Sequence, residues 1–219
     1  MKETKIKNII FDLGGVLINF HPLDCLLKLG FDKEKALEIL NATVKDKIWE
    51  DMDRGLYLKK EEYLSAFMDK YPLLKDDIKK FLDSDWMKYS ISCYKENLKM
   101  IDFAKDHGCK YYILSNYPMD AFEYTYDLYD FIKEADGIVV SSYVKYNKPE
   151  KEIYLKLLDK YKLVCGECIF IDDLERNIKG GESVGINGIV FKNLDDTLEK
   201  LNIYTYRKWG KDETIFRFM

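Results

Sequence analysis

Four short polar clusters in the sequence carry the side-chain types that phosphoryl transfer uses. In chain order they are Asp12, Ser115-Asn116, Lys148-Pro149 and Asp172-Asp173. Three of them directly follow short apolar runs, and the Lys-Pro pair precedes a helix-length pattern. Each cluster on its own is typical of a helix cap, a turn or a solvated surface. Because the carboxyl ends of parallel strands meet at one edge of a sheet, the four together predict a single crevice.

The residue types in these clusters complement one another chemically. An aspartate such as Asp12 can attack phosphorus and form an acyl phosphate when a cation shields its charge from the phosphoryl group. Asp172 and Asp173 supply hard oxygen ligands of the kind that Mg²⁺ binds. Ser115 and Lys148 offer a hydroxyl donor and a compact positive charge for the phosphoryl oxygens. The set predicts phosphoryl transfer, and it lacks the histidine of a Ser-His or Cys-His hydrolase.

The elements that must position these side chains follow from the hydrophobic pattern. Apolar runs typical of buried parallel strands cover residues 8–11, 110–114, 137–140, 168–171 and 188–191. Helix-length patterns separate the later runs, which predicts right-handed β-α-β units and a Rossmann-like parallel sheet with helices on both faces. After the first run, Gly14 and Gly15 permit a sharp turn and leave backbone groups accessible to a phosphate or a metal.

The long segment after the first apolar run has a different character. Residues 20–90 show helical spacing and no convincing strand, which predicts a small bundle of short amphipathic helices. We therefore expect an α/β core formed by residues 1–18 and 91–202, with an all-helical domain inserted at 19–90. The aromatic extension at 203–219 is expected to pack on the core or in a subunit contact.

The composition limits the classes of partner and compartment. The chain has 219 residues, of which 47% are hydrophobic and 34% charged, as in globular proteins. Its net charge of −4 provides no Lys/Arg excess for general nucleic-acid binding. No apolar run reaches the roughly 18 residues of a membrane span, and no signal sequence precedes the first strand, so we expect a cytoplasmic protein. The oligomeric state is open between monomer and homodimer.

Four motifs in the chain resemble those of the haloacid dehalogenase (HAD) superfamily. They are FDLGGVL at 11–17, LSN at 114–116, KPE at 148–150 and FIDDLERN at 170–177. The resemblance spans most of residues 7–192, and an insertion directly after the first motif is similar to the family's C1 cap. Residues 53–56 and 61–64 resemble the cap segment of the branch that contains sugar-phosphate phosphatases and the phosphatase domain of soluble epoxide hydrolase.

This resemblance implies a Mg²⁺-dependent phosphatase that acts on a small phosphorylated metabolite, with sugar phosphates among the candidates. It implies Asp12 as the nucleophile and Lys148 as its catalytic partner. The implied phosphate contacts are Gly14, Gly15, Ser115, Asn116 and Lys148. The implied Mg²⁺ ligands are Asp12, the Gly14 carbonyl and Asp173, with Asp172 adjacent. Cap residues are expected to select the substrate, and the candidates are Asn19, Phe20, His21, Trp49, Asp53 and Arg54.

One departure from the family pattern leaves alternatives open. Family phosphatases usually carry a second aspartate two residues after the nucleophile, where this chain has Gly14. Loss of such a general acid–base typically costs roughly 10²- to 10⁴-fold in rate. His21 is one candidate replacement. The other readings are a 2-haloacid dehalogenase, which the Asp172-Asp173 pair opposes because that reaction needs no metal, and a degenerate protein that binds a phosphorylated ligand or a partner without turnover.

Overall fold

Five parallel strands form the central sheet of the protein. The computed structural model describes residues 5–57 and 59–206. In chain order the strands are β1 (Asn8–Phe11), β2 (Ile18–Phe20), β3 (Ile91–Cys93), β4 (Lys110–Ser115), β5 (Gly137–Val140), β6 (Cys168–Asp172) and β7 (Asn187–Val190). The order in the central sheet is β5-β4-β1-β6-β7, and every neighbouring pair is parallel. The predicted Rossmann-like α/β core is confirmed.

The register of the central strands brings three predicted site residues to one edge of the sheet. Phe11, the last residue of β1, pairs with Ile171 of β6. Asp12 and Asp172 therefore leave the sheet at the same level, and Ser115 ends β4 on the other side of β1. Every residue of β1 and β6 is buried, which explains why both strands read as continuous apolar runs rather than alternating ones.

Helices connect the strands and cover the sheet. Between β2 and β3, the described residues form α1 (Pro22–Lys28), α2 (Lys33–Ala42), α3 (Lys47–Asp53), α4 (Lys60–Lys70), α5 (Lys75–Asp83) and α6 (Trp86–Ser90). The later helices are α7 (Lys99–Asp106), α8 (Met119–Leu128), α9 (Asp130–Lys133), α10 (Ser141–Val144), α11 (Lys151–Tyr161), α12 (Glu175–Glu182) and α13 (Leu194–Tyr206). Two 3₁₀ helices cover Lys95–Leu98 and Cys165–Glu167.

A two-stranded antiparallel ribbon joins the two ends of the helical segment. Strand β2 pairs with β3, with Ile18 opposite Cys93 and Phe20 opposite Ile91. The sequence pattern predicts only helices at residues 19–90 and does not indicate this ribbon, because strands of three residues are too short to show alternation. The division of the chain into a core and an inserted domain at these boundaries stays a prediction.

Helix α3 carries Trp49 and Asp53, two residues that line a cavity together with Gly14. Asp46 caps its N-terminus, since the Oδ1 atom accepts a hydrogen bond from the Ile48 N–H at 2.9 Å. The helix ends at Asp53, and Gly55 follows with a φ of 71°, a conformation that favours glycine. A Cβ atom at Gly55 would lie 2.2 Å from the Ser142 carbonyl oxygen. The turn after α3 therefore packs directly against α10 of the core.

Three further features bear on the expectations from sequence. None of the helices in the described ranges is long and apolar enough to cross a membrane. All five cysteines are free thiols. Helix α13 continues to Tyr206, so most of the predicted aromatic extension at 203–219 lies outside the described residues.

Candidate active site

Asp12 lies directly beyond β1, and its carboxyl group is held by a set of donors that all contact one oxygen. The Oδ1 atom accepts hydrogen bonds from the Leu13 N–H at 2.7 Å and from the Ser115 hydroxyl at 2.8 Å. The ammonium group of Lys148 lies 2.8 Å from the same oxygen. Within the described ranges no donor forms a hydrogen bond with Oδ2. That oxygen is therefore the one available to attack a substrate or bind a metal.

Asp172 forms the second half of a buried charge cluster. Its Oδ2 atom accepts a hydrogen bond from Lys148 Nζ at 2.7 Å. Asn177 donates to both carboxylate oxygens, at 2.9 and 3.0 Å, and the Leu174 N–H donates to Oδ1 at 2.9 Å. Asn177 lies in the motif at 170–177, but no role was predicted for it from the sequence. The amide needs an acceptor because it is buried, and the first turn of α12 brings it onto Asp172.

Burial and mutual attraction set the protonation of this cluster. Burial raises the pKa of Asp12, and the Asp172 carboxylate adds to the rise, whereas Lys148 opposes it. Burial also disfavours the charge on Lys148, but the carboxylates of Asp12 and Asp172 outweigh that effect and raise the pKa of Lys148. The lysine is therefore cationic between two carboxylates.

Asn116 fixes the backbone of Lys148 from the neighbouring strand end. Its Oδ1 atom accepts a hydrogen bond from the Lys148 N–H at 2.8 Å, and its Nδ2 group donates to the Lys148 carbonyl at 3.1 Å. The adjacent Ser115 uses its hydroxyl on Asp12. Both residues are predicted phosphate contacts, a role that stays a prediction, and both contact Asp12 or Lys148, the two residues that are predicted to do the chemistry.

The third carboxyl group of the cluster, Asp173, is exposed and lies against the glycine turn after β1. Carboxylate oxygens of Asp12, Asp172 and Asp173 lie within 4.8 Å of one another. Gly15 has a φ of 73°, and a Cβ atom there would lie 2.5 Å from Asp173 Oδ2. Three hard oxygen donors at this separation fit Mg²⁺. Both oxygens of Asp172 already accept hydrogen bonds, so the geometry favours Asp173 over Asp172 as a direct ligand.

Two cavities border this cluster. One, of about 260 Å³, is lined by Gly14 and Asn116 from the core and by Phe20, Trp49, Asp53 and Trp86 from the helical segment. The other, of about 450 Å³, is lined by Asn116, Lys148 and Arg176 together with Glu50 and Asp53. A larger cavity of about 780 Å³ borders β7 and α13 and contains none of the predicted site residues.

The aromatic side chains of the smaller cavity pack on one another. The ring centroids of Trp49 and Trp86 are 5.5 Å apart, and Phe20 lies 6.0 Å from Trp49 and 6.3 Å from Trp86. Phe20 remains more than one-third exposed. Neither cavity at the strand edge is lined by His21, the residue that the sequence suggested as a replacement acid–base.

The end of α3 is tied to the core segment that carries Lys148. Arg54 donates two hydrogen bonds to the Glu150 carboxylate, one of them at 2.9 Å. The Ser141 hydroxyl donates to the Asp53 carbonyl oxygen, and Asn147 donates to the Glu50 carbonyl at 3.0 Å. These contacts hold Asp53, which the sequence named only as a candidate for substrate selection, beside the cavity that contains Gly14.

Comparison with known proteins identifies phosphatases among the relatives of this chain. A sesquiterpene phosphatase of Aspergillus oryzae is 24% identical over 204 residues, which cover 89% of this chain and 93% of the relative. A phosphorylated carbohydrates phosphatase of Thermotoga maritima is 25% identical over 198 residues, which cover 86% of this chain and 87% of the relative. These two proteins differ in the substrates that their names state.

Solved structures share the fold. A HAD family enzyme of Bacteroides thetaiotaomicron is 22% identical and has a TM-score of 0.69, covering 90% of this chain and 99% of its own. The same enzyme has also been crystallised with magnesium and inorganic phosphate. A model of the haloacid dehalogenase-like hydrolase family matches residues 6–185 of this chain. Because that match covers most of the sequence, the protein belongs to the haloacid dehalogenase-like hydrolases.

Proposed function

We propose that the protein is a Mg²⁺-dependent phosphatase that hydrolyses a small phosphorylated metabolite through an aspartyl phosphate on Asp12. The observation that carries this proposal is the pairing of Asp12 with Lys148 beside the carboxylates of Asp172 and Asp173. A carboxylate held by donors on one oxygen has its other oxygen free for in-line attack. The phosphatases among the relatives support the same reaction class.

In this proposal the residues around Asp12 hold the metal and the phosphoryl group. Asp12, Asp173 and the Gly14 carbonyl would bind Mg²⁺, which supplies positive charge that reduces the repulsion between the carboxylate and the phosphoryl oxygens. Asp172 keeps Lys148 in place. Lys148, Ser115, Asn116 and the backbone amides of the glycine turn would contact the phosphoryl oxygens, which is the arrangement that stabilises charge developing on them.

The reaction has two steps, formation of the aspartyl phosphate and its hydrolysis. Asp12 Oδ2 attacks phosphorus, the bond from phosphorus to the leaving oxygen breaks, and that oxygen takes up a proton. Water next attacks the phosphorus of the aspartyl phosphate and loses a proton, the bond between the Asp12 oxygen and phosphorus breaks, and inorganic phosphate leaves. The Asp12 carboxylate is regenerated. Lys148 remains cationic throughout and pairs with the negative charge that moves between the carboxylate and the phosphoryl group.

The helical segment would act as the C1 cap and select the leaving group. The cavity beside Gly14 is lined on its cap side by the aromatic side chains of Phe20, Trp49 and Trp86 together with Asp53. Aromatic side chains of this kind pack against the ring of a sugar or of an aromatic leaving group. Sugar phosphates therefore remain candidates, and closure of the cap would exclude bulk water from the reaction.

The two alternatives find weaker support in the geometry. In a 2-haloacid dehalogenase, Asp12 would attack a carbon atom of a substrate that itself carries a carboxylate. Binding of such a substrate gains nothing from the additional negative charges of Asp172 and Asp173. The main argument for a protein that binds a phosphorylated ligand without turnover is that Gly14 has no carboxyl group. The free Oδ2 atom of Asp12, and the pairing of its Oδ1 atom with Lys148, are features that binding alone does not require.

Release of inorganic phosphate tests the proposal. The substrates are p-nitrophenyl phosphate, sugar phosphates, prenyl and other alkyl phosphates, each assayed with Mg²⁺ and with EDTA. Asp12→Asn is the test variant, and Asp69→Asn, which changes an exposed carboxylate of α4, is the matched control. We expect Mg²⁺-dependent release that Asp12→Asn abolishes and the control retains. Absence of release from every substrate would reject the phosphatase, and a metal-free chloride-release assay would then test the dehalogenase.

A further inference from the structure

The proposed reaction needs a group that gives a proton to the leaving oxygen, and the glycine turn after Asp12 does not supply one. Gly14 has no side chain, and a Cβ atom built there would meet no heavy atom within 4 Å. The space next to the nucleophile is therefore open toward the cavity of about 260 Å³ that Gly14 lines. Any group that replaces a second carboxyl must reach into this cavity from another element.

Asp53 is the residue with a carboxyl group that lines this cavity in the described part of the chain. It also lines the second cavity, together with Lys148 and Asn116. The Asp53 side chain makes no hydrogen bond and no ion pair with the described residues, whereas the carboxylates of Asp12 and Asp172 are both paired. A partly buried carboxyl group that has no protein partner has its donor and acceptor capacity available for a ligand.

The backbone of Asp53 and the two residues after it make the contacts that fix the position of Asp53. Its own carbonyl oxygen accepts a hydrogen bond from Ser141, and the next residue, Arg54, forms the two-pronged pair with Glu150. Gly55 packs against Ser142. Contacts with the core thus hold the backbone at Asp53 and at the two residues that follow it, which gives the carboxyl group the fixed position that a proton-transferring residue needs.

We infer that Asp53 is the general acid–base of this site: it protonates the leaving oxygen during attack by Asp12 and then accepts the proton of the water that hydrolyses the aspartyl phosphate. The inference rests on the proposed phosphatase function. Charge balances, because the proton lost by Asp53 in the first half is returned from water in the second.

The surroundings of Asp53 suit the acidic role. Burial raises the pKa of Asp53 to about 8, and the negative charge of Glu50 on the same helix adds to the rise. From the core, Lys148 opposes the shift and Asp12 reinforces it. A carboxyl group with this pKa carries its proton at neutral pH and can donate it, since a general acid works best when its pKa is near the working pH.

The dependence of the rate on the leaving group tests this role. An alkyl alcohol needs a proton to leave, whereas p-nitrophenolate leaves without one. We therefore expect Asp53→Asn to lower kcat/KM for an alkyl phosphate by roughly 10²- to 10⁴-fold and for p-nitrophenyl phosphate by less than about 10-fold. Asp51→Asn is the matched control, because Asp51 lies on the same helix and pairs with Lys47 at the surface. It should change neither rate more than about twofold.

The pH profile provides a second readout that a structural role would not alter. For the alkyl phosphate, kcat/KM of the unmodified enzyme should fall on the alkaline side as the general acid loses its proton, and this limb should be absent in Asp53→Asn. Asp53→Ser serves as a second variant if Asp53→Asn does not fold, as judged by its thermal unfolding. An equal loss of rate for both leaving groups with an unchanged pH profile would overturn the inference. If the unmodified protein released no phosphate from any substrate, that result would instead reject the proposed function.

Discussion

The ammonium group of Lys148 lies 2.7 Å from Asp172 Oδ2, and at most 1% of either side chain is exposed. The same nitrogen contacts Asp12 at 2.8 Å. One buried cation therefore contacts two carboxylates, and Asn177 and the Leu174 N–H also donate to Asp172. Asp12 is therefore held by Lys148, and Lys148 is in turn held by Asp172.

Removing the cation should therefore destabilise the protein. Lys148→Met leaves the buried carboxylates of Asp12 and Asp172 without a cation, and we expect the free energy of unfolding to fall by about 3–5 kcal/mol. Urea unfolding in EDTA at pH 7.5 measures this value. Lys179→Met is the matched control, since its Glu175 partner is exposed, and it should cost less than about 0.5 kcal/mol. Equal stability of the two variants would contradict the description of the cluster.

Gly15 should be required for the position of Asp173. Its φ is 73°, and a Cβ atom would lie 2.5 Å from Asp173 Oδ2. We expect Gly15→Ala to displace this carboxylate and to raise the Mg²⁺ concentration that gives half-maximal phosphate release by about tenfold or more. Gly30→Ala is the matched control, because Gly30 also has a positive φ, of 89°, but no heavy atom lies within 4 Å of its Cβ position. Both variants carry the backbone cost, so a difference in Mg²⁺ dependence between them isolates the contact with Asp173.

The same Mg²⁺ dependence should appear in thermal unfolding. Mg²⁺ at 100 times its dissociation constant stabilises the protein by about 2.7 kcal/mol if it binds only the folded state. EDTA should remove this stabilisation, and Gly15→Ala should need more Mg²⁺ to reach it. A Tm that is the same with Mg²⁺ and with EDTA would count against a metal site at the carboxylate cluster.

Because the pKa of Asp53 is higher in the folded protein than in the unfolded chain, the free energy of unfolding should decrease as pH rises. The unfolded chain releases this proton near pH 3.8 and the folded chain near pH 8, so the folded state binds more protons between these values. Stability attributable to Asp53 therefore falls as pH rises through this window. We expect Asp53→Asn to be more stable than the unmodified protein at pH 8 by about 1 kcal/mol or more, with a smaller difference at pH 5.

Urea unfolding in EDTA at both pH values measures the effect, with Asp51→Asn as the control that should show no such trend. A constant difference between pH 5 and pH 8 would mean that Asp53 is not desolvated in the folded state. The measurement needs no substrate and is independent of the proposed reaction.

A carboxyl group placed at Gly14 should substitute for Asp53. The Cβ position at Gly14 is open, and the residue lines the same cavity as Asp53. We expect Gly14→Asp to restore the turnover of an alkyl phosphate by at least about tenfold when it is combined with Asp53→Asn. Gly14→Asn is the control, since it fills the same space without an acid. Equal rates for the two double variants would mean that the added carboxyl group does not transfer the proton.

Much of the fold could be predicted from the pattern of residue types. The buried strands β1 and β6 are continuous apolar runs, because both of their faces are covered, and such runs are visible in the sequence. The ribbon formed by β2 and β3 was missed, because strands of three residues carry no periodic signal. Asn177 was missed as a partner of Asp172 because a buried amide in a helix has no distinctive spacing.

The sequence by itself determined the parallel sheet and the order of the polar clusters, since polar residues that end apolar runs must emerge at one edge of such a sheet. Only the tertiary structure decided which charges pair, because Lys148 could have faced either carboxylate and contacts both. It also decided that Asp53, far from Asp12 in the chain, lines the cavity beside Gly14. That juxtaposition depends on long-range contacts such as the pair of Arg54 with Glu150, which no local pattern encodes.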